Sequence, residues 1–288
     1  MELFLHTLSH SFLDTAKMLP FLLIAFLILE FIESKSSHKT VHIIEKSGKF
    51  GPILGSALGL IPQCGFSVVG ANFYSKRIIT LGTLVAIFLS TSDEAFLVML
   101  SNPQKIPDLL IIIALKFVIG VVFGYLIDIL FSHRANKSHH DHHHDDDDIA
   151  HDHCCYNHSV KEIVWCAIKR TVSVFAFVLL VTFALTLLIE LFGEDKLHSL
   201  LLTESVFQPL LTALIGLIPN CAPSIILSQM YLDGALSLGS VIAGLCTSAG
   251  VGILVLFKEN KPLKDNLKIL AVLFSISAIS GLLIELIA

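Results

Sequence analysis

The 288-residue chain is 54% hydrophobic and 15% charged, with a mean hydropathy of +0.79 and a formal net charge of −5. Soluble globular domains carry about 25% charged residues, so this composition excludes an ordinary soluble enzyme or binding domain and indicates an integral membrane protein. The net charge comes largely from one acidic loop and identifies no partner.

Long uncharged apolar runs follow one another along the chain. A run of about 20 such residues is long enough to cross a bilayer. Eight are visible, at roughly 18–33, 51–75, 78–100, 108–131, 163–190, 206–232, 234–257 and 269–287. They predict an all-α polytopic membrane protein.

The second half of the chain repeats the first half 157 residues later. Shared apolar composition alone would not keep Pro, Gly and Cys in step over such a length. The sequence predicts a first membrane repeat over 1–132, a linker over 133–160 and a second membrane repeat over 161–288. The identical pairs include Pro52/Pro209, Gly59/Gly216, Pro62/Pro219, Cys64/Cys221, Ser67/Ser224, Tyr74/Tyr231 and Gly82/Gly239.

A proline-containing motif interrupts one apolar run in each repeat, as LIPQC at Leu60–Cys64 and LIPNC at Leu217–Cys221. Proline breaks the helical ladder, and broken backbone at membrane depth is tolerated only where protein or a wet cavity satisfies it. We predict that Pro62 and Pro219 mark the tips of two re-entrant hairpins that meet near the midplane. The alternative is a pair of proline-kinked spanning helices.

The distribution of Lys and Arg favours the hairpins, because cytoplasmic loops are enriched in positive residues. If the two broken segments turn back, 15 of the 19 basic residues share one side and two lie on the other. If all eight runs cross, the bias is weak. The predicted fold has two inverted-topology repeats, each with three crossing helices and one hairpin, giving ten helical segments. The linker is then cytoplasmic and both termini lie outside.

Two acidic residues, Asp93 and Glu94, lie within the apolar run 78–100. One carboxylate at a helix centre costs about 2.5–3.5 kcal/mol on insertion scales, so such a pair suggests function. The second repeat has Gly250 and Val251 at these positions, and the fold therefore does not require the acids. An early helix end with an interfacial pair is the alternative. The predicted metal pathway comprises Gln63, Cys64, Ser90, Thr91, Ser92, Asp93, Glu94, Asn220 and Cys221.

Lys116 is the one basic residue near the middle of a run, and it is the candidate counter-charge for Asp93 or Glu94 when substrate is absent. Snorkelling of its long stem to an interface is the alternative. The oxygen ligands of the pathway suit Mn²⁺. Thiolates from Cys64, Cys221 or the nearby Cys246 would shift the preference towards Zn²⁺, Cu⁺ or a thiophilic metalloid.

The linker contains a low-complexity stretch, Ser138–Ser159, with eight His, six Asp and two Cys. This composition is typical of metal binding and suits Zn, Ni, Co and Cu better than Mn. We expect it to be disordered when unloaded and to gather or sense metal, or else to be a solvated spacer. Its candidate ligands are His139, His140, His142, His143, His144, His151, His153, Cys154 and Cys155.

The two LIP[QN]C motifs, the STSDEAF stretch at Ser90–Phe96 and the His/Asp-rich loop together resemble a known family, the ten-transmembrane heavy-metal exporters. Members of that family are assigned as manganese transporters or arsenic efflux proteins. The resemblance covers nearly the whole chain. It implies efflux of a toxic or excess metal from a bacterial cytoplasm, with the protein in the cytoplasmic (inner) membrane of the bacterium.

The predicted function is a secondary transporter that exports a Mn²⁺- or Zn²⁺-like cation, with proton antiport through Asp93 and Glu94. The alternative is a permease for arsenite or organoarsenicals that uses the membrane cysteines. Enzymatic activity is not expected, because the chain has neither a G-x-x-x-x-G-K-[ST] loop nor an H-E-x-x-H motif.

The partners expected are the metal ion, protons and the lipid bilayer, with no nucleic acid and no tightly bound cofactor. The metal is substrate. The oligomeric state is left open, with a homodimer as one arrangement.

Overall fold

The computed structural model describes residues 19–20, 23–24, 27, 50–62, 65–91, 93–101, 105–135, 164–165, 167–169, 171–180, 183 and 207–287. Within these ranges the chain is helical and contains no strand. Three apolar helical runs there are long enough to cross a membrane: Ile106–Leu130, Leu238–Glu259 and Leu263–Ile287. The chain is therefore an all-helical, multi-pass membrane protein, as the sequence predicts.

Ten helices have bounds within the described residues. In the first half they are α1 (Gly51–Gly59), α2 (Gly65–Ser75), α3 (Leu81–Ser90), α4 (Asp93–Leu100) and α5 (Ile106–Ala135). In the second half they are α6 (Gln208–Gly216), α7 (Ala222–Leu232), α8 (Leu238–Thr247), α9 (Val251–Glu259) and α10 (Leu263–Ile287). The first apolar run of each half lies mostly outside the described residues.

The helix bounds follow the spacing of the sequence repeat. The helices α6, α7, α8 and α10 each begin 157 residues after α1, α2, α3 and α5, and α9 begins 158 residues after α4. The ends of α1, α2 and α3 recur at the same 157-residue spacing. The two halves therefore share one pattern of helices and breaks.

Each half contains two breaks, of which the sequence predicts the first. The first break follows Gly59 and Gly216, just before the prolines that cannot continue a helix. The second follows Ser90 and Thr247, within segments that we predicted as single helices. It occurs where clustered hydroxyls bond back to carbonyls of the preceding turn, and Gly250 in the second half adopts a φ of 55°.

Within each half, the first and third helices run side by side in the same direction. Gly51 and Gly59 of α1 face Thr83 and Ser90 of α3, so residue numbers rise together along both helices. In the second half, Thr212 Oγ1 of α6 donates to the Ser240 carbonyl of α8 over 2.7 Å. The last residue of α6 likewise faces the end of α8.

The long last helix of each half packs antiparallel to the third helix at very close range. A Cβ at Gly82 would lie 2.5 Å from Asp128 Cγ, and a Cβ at Gly239 would lie 2.5 Å from the Gly281 carbonyl oxygen. Glycine is needed at these crossings because any side chain would hold the helix backbones apart.

The second helix of each half packs against the other half of the molecule. Ser67 of α2 lies against Gly252 of α9, and α7 packs in the same way on α4. At the far end of these helices, Tyr74 Oη donates to Asp265 over 2.9 Å, while its counterpart Tyr231 interacts with Asp108. The two halves are thus interlocked, with α3 and α8 buried along their whole length at the centre.

Candidate cation site at the helix breaks

The four helix breaks lie close to one another. The end of α1 at Gly59 faces the end of α3 at Ser90, and the end of α6 at Gly216 faces the end of α8 at Thr247. The starts of α2 and α9 touch across the two halves at Ser67 and Gly252, and α7 packs against α4. Broken helix ends that converge in this way expose backbone carbonyl and amide groups to a common interior region, which suits ion binding.

Lys116 lies at the contact between the two halves at these breaks. Its side chain is only 1% exposed, although a lysine is rarely buried without partners. The ammonium donates to the carbonyl of Thr91 at the end of α3 and, over 2.9 Å, to the carbonyl of Leu245 in the last turn of α8. Both acceptors lie at helix C-terminal ends, where the partial negative charge favours a cation. Such burial disfavours the snorkelling alternative.

Two hydroxyls at the end of α3, beside the carbonyl that Lys116 contacts, bond back to their own helix. Ser90 Oγ donates to the carbonyl of Ala86 and Thr91 Oγ1 donates to the carbonyl of Ile87, each over 2.7 Å. A hydroxyl whose proton is engaged in this way can still accept a hydrogen bond or bind a cation. Both residues belong to the predicted pathway, and the carbonyl of Thr91 is the oxygen that accepts from the ammonium.

In the second half, Asn220 and Cys221 are both buried in the break before α7. Asn220 Oδ1 accepts from the Cys221 amide over 2.7 Å, and the Cys221 carbonyl accepts from Ser224 Oγ over 2.7 Å. These contacts shape the turn. They give Asn220 a structural role beside the ligand role that the sequence suggests.

Two thiols and one further hydroxyl belong to the same region. Cys221 and Cys246 are buried and form no disulfide within the described residues, and Cys246 lies close enough to Lys116 to interact with its charge. The hydroxyl of Ser248, at the break after α8, is 3% exposed and has no hydrogen-bond partner in the described structure. Nowhere in that part of the chain do three His, Cys, Asp or Glu side chains gather as metal ligands.

Several predicted site residues lie outside the described structure. These are Gln63, Cys64, Ser92 and the linker ligands His139, His140, His142, His143, His144, His151, His153, Cys154 and Cys155. The backbone of Asp93 and Glu94 is described as the first turn of α4, directly after the break at Thr91, but their side chains are not. Acids in a first turn also stabilise the helix that they begin.

Sequence reasoning did not identify the Leu245 carbonyl or Ser248. Backbone carbonyls carry no residue signature, so the first contact has no signal in the sequence. The second break does have a sequence signal, because the Thr-Ser pair at 91–92 recurs at 247–248. The second pair is shifted by one residue from the position that the 157-residue repeat gives. Hydroxyl pairs at matching depth in both halves could have predicted a second interruption.

Comparison with known proteins adds one finding. A family model named ArsP_2, described as "Putative, 10TM heavy-metal exporter", matches residues 1–189 and 170–288, which together cover the whole chain. No curated protein and no solved structure gives a significant match.

Proposed function

The chain belongs to the ArsP_2 family of 10TM heavy-metal exporters, and from this premise we propose that it is a secondary transporter for a divalent metal cation. It exports a Mn²⁺- or Zn²⁺-like ion from the cytoplasm through the region between the helix breaks. The observation that carries the proposal is the buried Lys116 ammonium held by two helix-end carbonyls, because a site that binds one cation in the protein interior suits another.

The proposed topology has two re-entrant hairpins, α1–α2 and α6–α7. Gly51 at the start of α1 faces Thr83 in the first turn of α3, so the two helices begin at the same depth. The nine residues of α1 rise about 14 Å, and the chain must return through the eleven residues of α2 to reach that depth again. This geometry favours a hairpin over a single crossing.

Two long-range contacts support the same topology. If segment 51–75 crossed the membrane once, Tyr74 and Asp265 would lie on opposite sides, about 30 Å apart. Their side chains are hydrogen-bonded at 2.9 Å, and the corresponding residues Tyr231 and Asp108 also interact. With hairpins, the first pair lies on the cytoplasmic side and the second lies outside. The halves are then inverted, with both termini outside and the linker in the cytoplasm.

In the proposed mechanism, the metal enters from the cytoplasm and reaches oxygens at the breaks. Asp93 and Glu94, which open α4 directly after the break, supply the carboxylates that exchange protons for the metal. Inverted repeats commonly alternate access by rocking one bundle against the other around a fixed site. Gln63, Cys64, Asn220 and Cys221 line the hairpin tips in this proposal, and the His-rich linker collects metal before transport.

Metal uptake into everted membrane vesicles tests this function. We expect vesicles with the protein to accumulate Mn²⁺ or Zn²⁺ when an acidic interior is imposed, and to accumulate much less without the pH gradient. Vesicles without the protein are the control. Metal uptake that is indifferent to the gradient would contradict proton antiport, and no protein-dependent uptake of either metal would contradict the function itself.

A second candidate function, transport of arsenite or organoarsenicals, is favoured by the buried Cys221 and Cys246, which form no disulfide within the described residues. Trivalent arsenic is thiophilic, so these thiols and Cys64 would be its ligands. Substituting serine at all three positions separates the candidates. Loss of arsenical resistance with intact Mn²⁺ or Zn²⁺ tolerance would identify a permease for arsenicals, whereas loss of metal tolerance would place the thiols in the cation pathway.

A further inference from the structure

We infer that Lys116 is a tethered cation that occupies part of the metal-binding site and must be displaced by the exported ion. This inference rests on the proposed function and names the oxygens of its site: the carbonyls of Thr91 and Leu245 and the hydroxyl of Ser248. The inference is based on one contact: a buried ammonium lies against the ends of two broken helices, one from each half of the molecule.

The acceptors of Lys116 are suited to a metal ion as well as to an ammonium. Carbonyl oxygens are ligands for hard divalent cations, and both carbonyls lie at helix C-terminal ends with partial negative charge. Ser248 adds a buried hydroxyl without a partner in the described residues, which is costly unless something binds it. Ser248 lies three residues after Leu245, and the inference therefore places its hydroxyl with the two carbonyls in one oxygen-rich cation site.

The ammonium and a metal ion exclude each other from these oxygens. Two cations within a few ångströms repel strongly in a buried, low-dielectric region. Metal binding therefore requires that the side chain of Lys116 leave the carbonyls. The long flexible stem of lysine allows that movement without a backbone change.

Displacement of Lys116 also breaks a contact between the two halves of the molecule. Lys116 belongs to α5 of the first half, and Leu245 belongs to α8 of the second. The counterpart of Lys116 in the second half is Leu273, which is buried and apolar, so no matching ammonium extends from that position. A metal that releases this bridge would free the halves to move relative to each other, and binding would be coupled to the transport step.

The test is Mn²⁺ binding to the purified full-length protein in detergent, measured from the electron paramagnetic resonance signal of free Mn²⁺. Mn²⁺ is the probe because the His-rich linker prefers other metals. We expect Lys116→Met and Lys116→Gln to bind Mn²⁺ about tenfold more tightly than the wild-type protein, since the competing charge is gone. Lys105→Met, which removes a surface ammonium, is the control and should bind as the wild type does.

A third variant keeps the test decisive if both Lys116 variants fail to fold. Ser248→Ala removes one proposed ligand and should weaken Mn²⁺ binding several-fold while leaving Lys116 in place. Unchanged or weaker Mn²⁺ binding in folded Lys116 variants overturns the inference, and so does unchanged binding in Ser248→Ala. If wild-type vesicles still take up metal in those cases, the proposed function stands without the inference. If they take up none, the proposed function fails as well.

Discussion

The two halves of the chain share the contacts that hold their helices together. In the first half, Asp128 near the end of α5 accepts from the Gly82 amide over 2.9 Å and from Thr80 Oγ1 over 2.8 Å. In the second half, the corresponding Glu285 accepts from Ser237. Each acid lies against the start of the neighbouring helix, α3 or α8, where the positive end of the helix dipole favours a carboxylate.

The ionisable residues at the breaks differ between the halves. Lys116 corresponds to Leu273, and the acid pair of α4 corresponds to Gly250 and Val251. Contacts repeated in both halves build the scaffold, whereas Lys116, which is present in only one half, brings charge into the interior, where charge is costly without a function. We therefore expect the transport chemistry at the charged residues that have no counterpart in the other half.

The largest effect should follow from removing the unrepeated acids. We expect Asp93→Asn or Glu94→Gln to abolish metal efflux while membrane insertion stays normal, because neither amide can exchange a proton for a cation. Cellular metal content and the amount of membrane-inserted protein measure the two properties. Asp233→Asn, at the exposed end of α7, is the matched control. Normal metal resistance in both acid variants would show that Asp93 and Glu94 do not belong to the site.

Adding a methyl group at a repeated close contact should destabilise both halves alike. Gly82→Ala and Gly239→Ala would place a Cβ 2.5 Å from Asp128 Cγ and from the Gly281 carbonyl oxygen. We expect each to cost about 1–3 kcal/mol, as overpacking does, and to lower the thermal unfolding midpoint in detergent. In the control Gly70→Ala, the nearest atom is the flexible end of Ile87 at 2.9 Å, so the cost should be smaller.

The paired tyrosines should reveal a moderate difference between the two ends of the molecule. Tyr74 is 4% exposed, and its acceptor Asp265 also receives a hydrogen bond from Asn260 over 3.1 Å. We expect Tyr74→Phe to lower stability by about 1 kcal/mol. Tyr231→Phe should cost less, because Asp108 is partly exposed and keeps its ion pair with Lys105 at 3.1 Å.

Comparing the thermal midpoints of the two phenylalanine variants measures that difference. An equal or larger loss in Tyr231→Phe would show that the contact on the Asp108 side is as strong as the other. The ends of the molecule would then be equivalent, against the asymmetry described above.

The smallest effect on transport itself should come from the linker. Deletion of 138–159 is expected to change the apparent metal affinity or its regulation while turnover continues, because the helix breaks lie elsewhere in the chain. Metal uptake by everted vesicles over a range of concentrations separates the two quantities. Complete loss of uptake would make the linker part of the pathway.

The sequence predicts much of the fold because its strongest signals are local or repeated. Length and hydropathy predict the helices. The 157-residue spacing predicts which helices of the two halves correspond, and Pro62 and Pro219 predict the first break in each half. The breaks after Ser90 and Thr247 were missed because the apolar run resumes after the few polar residues at each break, and a side chain that bonds back to its own helix leaves little trace in hydropathy.

The candidate site was predictable only in part. Lys116 stands out as an isolated charge in an apolar helix, but its acceptors are backbone carbonyls 25 and 129 residues away, and any residue supplies a carbonyl. The hydrogen bond from Tyr74 of α2 to Asp265 likewise depends on the packing of α2 against the second half. Contacts of this kind follow from the tertiary arrangement and have no sequence pattern of their own.

The central claim is that two inverted, broken repeats enclose the cation site, and cysteine labelling tests it most directly. Single cysteines are introduced at Lys76, Asp233 and Lys264, and intact cells are treated with a membrane-impermeant maleimide. Labelling of the parent chain is the background. In the inverted topology, position 233 lies outside and positions 76 and 264 lie in the cytoplasm. The Asp233→Cys protein should therefore be labelled, while the Lys76→Cys and Lys264→Cys proteins should react only after the cells are opened. Labelling that places positions 76 and 264 on opposite sides of the membrane would contradict it.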